Sequence, residues 1–303
     1  MRETPLQLVR GFLMGAADVV PGVSGGTIAL VLGIYQRLID NVRKGAGVLS
    51  SLARGQLPEA WSRIRDIEWV WLVALLAGIG LAIVSLAHTI EVLLDEQPVR
   101  MAALFFGLVA GSVVIATRLL RRPVPVHGLV VAAVAVAAFS LLGLRSGPVD
   151  DPSLLGYLGA GAVAICAMIL PGVSGSFLLL MLGMYDNVLG AVTDRDLAVL
   201  AVFLVGCVLG LAVFSTLLHW LIARHHDLVM AALIGLMIGS LRVLWPWPEG
   251  TGGTTMTWPE GDVVVPVLLA VVGFAAVTGI SGIADRADEA SRASRRGRVR
   301  AKR

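Results

Sequence analysis

Hydrophobic residues fall in long runs separated by short polar stretches, and the lengths of those runs predict the elements. Six runs reach the ~20 residues a helix needs to cross hydrocarbon: 69–94, 99–119, 126–144, 197–223, 228–244 and 263–283. All six are predicted to be transmembrane helices, because each is much longer than a strand and nearly free of charge. Two segments behave differently. The limbs Leu6 to Val20 and Thr27 to Asp40 are each about two thirds of a span, and Pro21-Gly22 stops the first while Ser24 offers an N-cap to the second. A re-entrant helical hairpin over 6–40 is predicted, with a second over 154–192. The limb Leu154 to Leu170 is long enough that a pair of full spans stays open there.

The two hairpins carry one repeated string. Pro21-Gly22-Val23-Ser24-Gly25-Gly26-Thr27 returns 150 positions later as Pro171-Gly172-Val173-Ser174-Gly175-Ser176-Phe177, and the match continues through Leu30/Leu180, Gly33/Gly183 and Tyr35/Tyr185. Weaker echoes join Gly107 to Ser112 with Gly235 to Ser240, and Gly80-Leu81-Ala82 with Gly210-Leu211-Ala212. Small residues at such positions also mean close helix packing. The expected fold is an all-α polytopic membrane protein of two repeats, 1–145 and 146–284, each a hairpin plus three spans. A basic tail, 285–303, follows.

Composition fits a bilayer protein: 57% hydrophobic residues, 15% charged, and a mean hydropathy of +0.85. Charge then orients it, because short loops rich in Lys and Arg stay in the cytoplasm. Arg2 and Arg10 precede the first hairpin, Arg43, Lys44, Arg54, Arg63 and Arg65 follow it, and Arg118, Arg121, Arg122 and Arg224 lie in later loops on the same side. The alternate loops hold Asp95-Glu96, Asp150-Asp151, Asp194 to Asp196 and the Trp/Pro/Gly-rich 245–262. Both termini are therefore expected in the cytoplasm. Three spans between the hairpins turn the second repeat upside down, giving inverted repeats, and the first hairpin enters from the cytoplasm and the second from outside. The basic pI of about 9.2 reflects loops facing anionic lipid, not nucleic acid.

Inverted repeats with broken helices are the design of alternating-access transporters, whose substrate site lies where the breaks meet. The second limb of each hairpin begins at Ser-Gly, so unpaired amides and a positive dipole end point inward. Glycine permits close approach and hydroxyls add donors. The expected guest is an anion such as phosphate, held by Ser24, Gly25, Gly26 and Thr27 and by Ser174, Gly175 and Ser176, with Pro21, Gly22, Pro171 and Gly172 making the breaks. The bland alternative is that Pro-Gly turns the chain and the serines cap helices.

The string Gly15 to Thr27 with Gly33-Ile34-Tyr35, the second string Leu170 to Phe177 with Gly183-Met184-Tyr185, and Gly239-Ser240-Leu241-Arg242 before Trp245-Pro246-Trp247 together resemble the polyprenyl-phosphate transporter family. The likeness covers the chain up to its tail. It implies a flippase of the bacterial cytoplasmic membrane that returns undecaprenyl phosphate, or a related polyprenyl phosphate, from the outer to the inner leaflet for recycling in cell-envelope synthesis. The residues alone argue only for an anion-handling transporter.

Ionisable residues inside apolar segments are costly and tend to be functional. Asp18 is a candidate for proton or sodium coupling or gating, or else holds the amides of the break; its counterpart by the repeat is Met168. Arg242 is a candidate to pair bidentately with the lipid phosphate, or snorkels to the interface. His88 and Glu91, His219, His225 and His226 read as interfacial, and Arg37, Asp40 and Asp186 sit near hairpin ends. Trp245, Trp247 and Trp258 suggest an aromatic belt, and Tyr35 and Tyr185 line the entrance or pack. Cys166 and Cys207 lie in apolar runs and read as packing residues. The internal copy of the first motif argues that the N-terminal segment is retained rather than cleaved as a signal peptide. No metal-ligand spacing, Walker loop or dinucleotide fingerprint is present, so neither a metal nor a cofactor is expected. Two rivals remain: a polyprenyl-pyrophosphate phosphatase, for which the motifs lack His and Arg near their tips, and a secondary transporter of a small soluble anion. Oligomeric state is not legible.

Overall fold

The computed structural model describes residues 4–20, 22–144, 147–248, 250 and 255–279. Pro21 and the basic tail lie outside the described residues. Twelve helices and no strands occur among them: α1 Thr4–Asp18, α2 Gly25–Val31, α3 Tyr35–Ala53, α4 Leu57–Asp66, α5 Trp69–Glu96, α6 Pro98–Thr117, α7 Pro125–Leu141, α8 Leu154–Ile169, α9 Gly175–Met181, α10 Tyr185–Thr193, α11 Leu197–Ser240 and α12 Val264–Gly279. By length and apolar composition α5, α6 and α11 each suffice to cross a membrane. The all-helical, multi-pass architecture expected from the hydropathy pattern is present. Large apolar side chains are exposed along the helices, Val84 by 87% and Val213 by 70%, as suits a surface that hydrocarbon covers.

Three boundaries depart from the hydropathy reading. The second limb of each expected hairpin is two helices, α2/α3 and α9/α10, and α9 and α10 meet at 112°. Glycine causes the break. Gly33 and Gly183 both sit at φ +68, and each closes the preceding helix with a Schellman motif: Ile34 N–H donates to Ala29 O and Gly33 N–H to Leu30 O, matched by Met184 to Leu179 and Gly183 to Leu180. Next, the expected basic loop after the first hairpin is helical, since α3 continues to Ala53 and α4 follows. Finally, the spans 197–223 and 228–244 follow one another without a loop: α11 is two helical limbs joined at a sharp kink, where His225 at φ −134, ψ 50 leaves the helical conformation. No Pro or Gly lies at the kink, beside which Asp227 accepts the N–H groups of Arg121 and Arg122 at 3.1 and 3.0 Å. The second limb stops at Ser240, and 241–244 form turns.

Glycine also sets the helix pairing. A Cβ on Gly15 of α1 would stand 2.6 Å from the carbonyl oxygen of Ile79 in α5, and one on Gly210 of α11 would stand 2.6 Å from that of Ala162 in α8; side chains there would force the helices apart. Gly11 against Leu75 and Gly161 against Phe203 repeat the same contact. The last helix of each sequence half, by contrast, packs on the other half. Gly235 and Gly239 of α11 lie on Val131 and Ala135 of α7, while Gly107 and Gly111 of α6 lie on Ala270 and Phe274 of α12. The halves are interlocked by this exchange. The largest buried cluster joins Leu30, Ile34, Tyr35 and Ile39 to Trp71 and Leu75 of α5 and to Met230, Ile234 and Met237 of α11, so the core sits where α2 and α3 meet the second limb of α11.

Candidate functional site

Each break turns the chain the same way but is capped differently. Gly22 at φ +85 and Gly172 at φ +86 turn the chain out of α1 and α8, a conformation open to glycine and strained for other residues. Ser24 then caps α2, its Oγ accepting Gly26 N–H at 3.1 Å, while Asp18 Oδ1 accepts Gly25 N–H at 2.5 Å. At the second break Ser174 occupies the cap position, but its hydroxyl is bonded to that of Ser176 at 2.8 Å. Asp18 thus does the capping that the bland reading assigned to it, and Met168, its counterpart, contributes no charge.

The two breaks touch. Thr27 Oγ1 accepts Gly172 N–H at 2.8 Å, Ser24 Oγ donates to the carbonyls of Met168 and Leu170 at 3.2 Å each, and the Tyr35 hydroxyl donates to Ile169 O at 3.2 Å. Four groups at the end of α8 and the turn after it, 168–172, are therefore met by three side chains of the first hairpin, with the one Ser24 hydroxyl proton shared between two carbonyls. Ser24, Thr27 and Tyr35 are 1%, 1% and 2% exposed, so these bonds are made out of water, where an unmet partner is costly. The relation is not reciprocal: Tyr185 is 37% exposed.

A third segment closes the site. Val243 and Leu244 pack on Gly22, and Met237 and Ser240 on Gly172, with a Cβ at Gly172 standing 2.7 Å from Ser240 Oγ. Ser240 belongs both to the Gly-Ser echo and to the Gly239–Arg242 string of the family resemblance, but nothing in the sequence placed it against the second break. Arg242 follows the end of α11, with its guanidinium carbon 4.6 Å from the ring centre of Phe139 and its plane against Gly143. It is part of the same segment but is turned toward α7. Gly25, Gly26 and Gly175 face protein atoms: a Cβ would meet the Asp18 carboxylate, Ile169 O at 2.7 Å and Met168 Cγ at 2.7 Å respectively. Of these, Gly26 lets the first break close on the second, while Gly25 and Gly175 make room within their own hairpins. Beside the first break lies a cavity of about 220 Å³ walled by Leu13, Ala17, Ile28, Phe105 and Val277, with Thr27 and Ser112 as its polar edge.

A family model described as undecaprenyl phosphate translocase-like matches residues 14–260, which include both breaks and the Arg242 segment. The chain belongs to this family. Among curated relatives of the translocase-like chain, a polyprenyl-phosphate transporter of Vibrio cholerae serotype O1 is 42% identical over 252 residues, covering 82% of this chain and 79% of the relative. A polyprenyl-phosphate transporter of Staphylococcus aureus is 28% identical over 287 residues, covering 89% and 93%. No solved structure matches. These relatives are named as transporters, not enzymes, and family membership with several long apolar helices makes this translocase-like protein a multi-pass membrane transporter. Among the described residues no group of three or more His, Cys, Asp or Glu is placed to hold a metal.

Proposed function

We propose that this protein carries a polyprenyl phosphate, in the bacterial cell undecaprenyl phosphate, from the outer to the inner leaflet of the cytoplasmic membrane, and so recycles the lipid carrier of envelope synthesis. The observation that carries the reading is the direct hydrogen bonding of the first break to the second. Two broken helices whose polar ends meet inside an apolar protein are what a midplane anion site requires. The conformation described is then the closed one. Gly25, Gly26 and Gly172 N–H groups are held by Asp18, Ser24 and Thr27, and a phosphate entering between the parted breaks takes over these donors, together with Ser174, Gly175 and Ser176 on the other side and Arg242 from the third segment. The two repeats are inverted and re-entrant in this reading, with both termini cytoplasmic.

A negative headgroup and a negative Asp18 compete for the same Gly25 amide. Protonation of Asp18 removes its charge and weakens its hold on that amide, which makes Asp18 the coupling or gating residue. The tail need not enter a polar path, because the apolar cavity at Thr27 offers it hydrocarbon-like surface while only the head crosses. Moving a bare charge through lipid is very unfavourable, and lowering that barrier is the whole of the activity. The apolar lining also favours a lipid over a small soluble anion.

The test uses proteoliposomes with labelled polyprenyl phosphate in the outer leaflet. Faster loss of outer accessibility, without release of inorganic phosphate, is the expected result. Phosphate release would point to a phosphatase, and unchanged leaflet exchange under every ion gradient would refute lipid transport. Cysteines at Gln56 and Thr255 should be labelled from opposite sides; labelling from one side would remove the inverted topology.

A further inference from the structure

Away from the breaks, α3 and α4 form a helical hairpin with an unusual surface. Leu49, Leu52, Leu57 and Trp61 are 45, 46, 66 and 59% exposed, while Arg43, Arg54 and Arg63 converge on a groove of about 530 Å³ between this hairpin and α11. Exposed apolar side chains beside clustered arginines are the pattern of a helix pair lying in the headgroup layer of a bilayer. Arg63 is fixed in place, donating to Gly47 O at 3.4 Å and to Glu59 at 2.9 Å. The Nε of Arg43 is buried and has no hydrogen-bond partner among the described residues. Ser50 adds a hydroxyl, and the opposite wall is Val213 and the Thr216 region of α11, the face that looks into lipid.

We propose that this groove is a binding site for the phosphate headgroup of an anionic membrane lipid, with Arg43 and Arg54 as its principal ligands, Arg63 in support, and the acyl chain lying along Val213. The shape of the groove decides against free phosphate. One end is cationic and the other is continuous with the lipid-covered side of α11, so the complementary ligand is an amphiphile with an anionic head. Arginine suits it because the planar guanidinium forms paired hydrogen bonds to phosphate oxygens. Among the described residues the one carboxylate bonded to Arg63 is that of Glu59, so three guanidinium groups crowd one groove, and an anionic head between them offsets their repulsion. The site is distinct from the two breaks and does not depend on the transport reading. Its occupant is a bulk anionic phospholipid such as phosphatidylglycerol.

Native mass spectrometry of the full chain, released from vesicles of mixed phosphatidylcholine and phosphatidylglycerol, tests this. Wild-type protein should retain phosphatidylglycerol in preference to phosphatidylcholine. The pair Arg43→Gln and Arg54→Gln should weaken that retention by about ten-fold or more, since two charge-assisted hydrogen-bonding groups are lost; the lysine pair at the same positions should restore part of it. Added polyprenyl phosphate displacing phosphatidylglycerol in the wild type, but not in the glutamine pair, would keep the site and assign it to the carried lipid. Equal retention of the two phospholipids by the wild type overturns the proposal whatever the variants do. So does undiminished retention in a folded glutamine pair, or displacement of the lipid by inorganic phosphate alone.

Discussion

Thr27→Val tests whether the contact between the two breaks holds the closed conformation. Valine matches threonine in shape but removes the hydroxyl, leaving Gly172 N–H, bonded to it at 2.8 Å in a buried setting, without an acceptor. An unmet buried amide costs about 1–3 kcal/mol. Thr27→Ser is the control: it keeps the acceptor and loses one methyl, about 1 kcal/mol of buried apolar surface. Nothing else need move, because Thr27 is 1% exposed and the bond is local to Oγ1. For a chain of this size a kilocalorie corresponds to roughly 2 °C in the unfolding midpoint, so valine should lower it by about 2–6 °C. Serine should lower it by about 2 °C. Intrinsic tryptophan fluorescence during heating of the detergent-purified protein, with seven Trp residues as reporters, reads the midpoints. A valine variant as stable as the wild type would show that the Thr27 hydroxyl does not hold the second break, and the closed-state argument would fail with it.

Gly78→Ala should destabilise by about 1–3 kcal/mol, because its Cβ would enter the backbone of Leu8 and Phe12 in α1, whereas Gly80→Ala two residues on, with nothing within 4 Å, should be neutral or stabilise by up to about 1 kcal/mol; equal midpoints for the two would refute glycine-set pairing of α1 with α5. Asp18→Asn keeps an oxygen acceptor for Gly25 N–H and so should leave folding intact while reducing transport and flattening its pH dependence, and wild-type transport across the pH range would remove Asp18 from the mechanism. The hydrogen bond from Arg37, with that from Asn41 at 3.3 Å, holds the Glu68 carboxyl below its usual 4.5. A depressed pKa contributes stability that is complete above about 4.5 and lost as pH falls through the folded value. Glu68→Gln should therefore lower the midpoint at neutral pH and converge on wild type under strong acid, and a gap independent of pH would refute the ion pair as its source.

Membrane insertion, helical class and the duplication were all legible in the chain, because each rests on local composition: run length against bilayer thickness, period against secondary structure, and one string repeated at a spacing of 150. The breaks at Gly22 and Gly172 were legible for the same reason, since Pro-Gly interrupts a helix wherever it occurs. Gly33 and Gly183 were visible as part of the repeat, yet their effect was not, because glycine within an apolar helix also serves packing, and only the φ of +68 separates the two roles. That 197–223 and 228–244 are separate limbs was legible from the charged stretch Arg224 to Asp227, and His225 breaks the helix there. That the limbs join at a kink with no loop, with Asp227 holding the α6–α7 turn, was not. Tertiary structure alone decided that Thr27 and Tyr35 bond the second break while Ser174 turns to Ser176, that Asp18 caps Gly25, and that α7 and α12 change partners between the halves. The physical reason is common to all of these. A repeat specifies equal local conformations, but two copies meeting face to face compete for one shared interior, and which hydroxyl reaches which carbonyl depends on packing across more than a hundred residues of intervening chain.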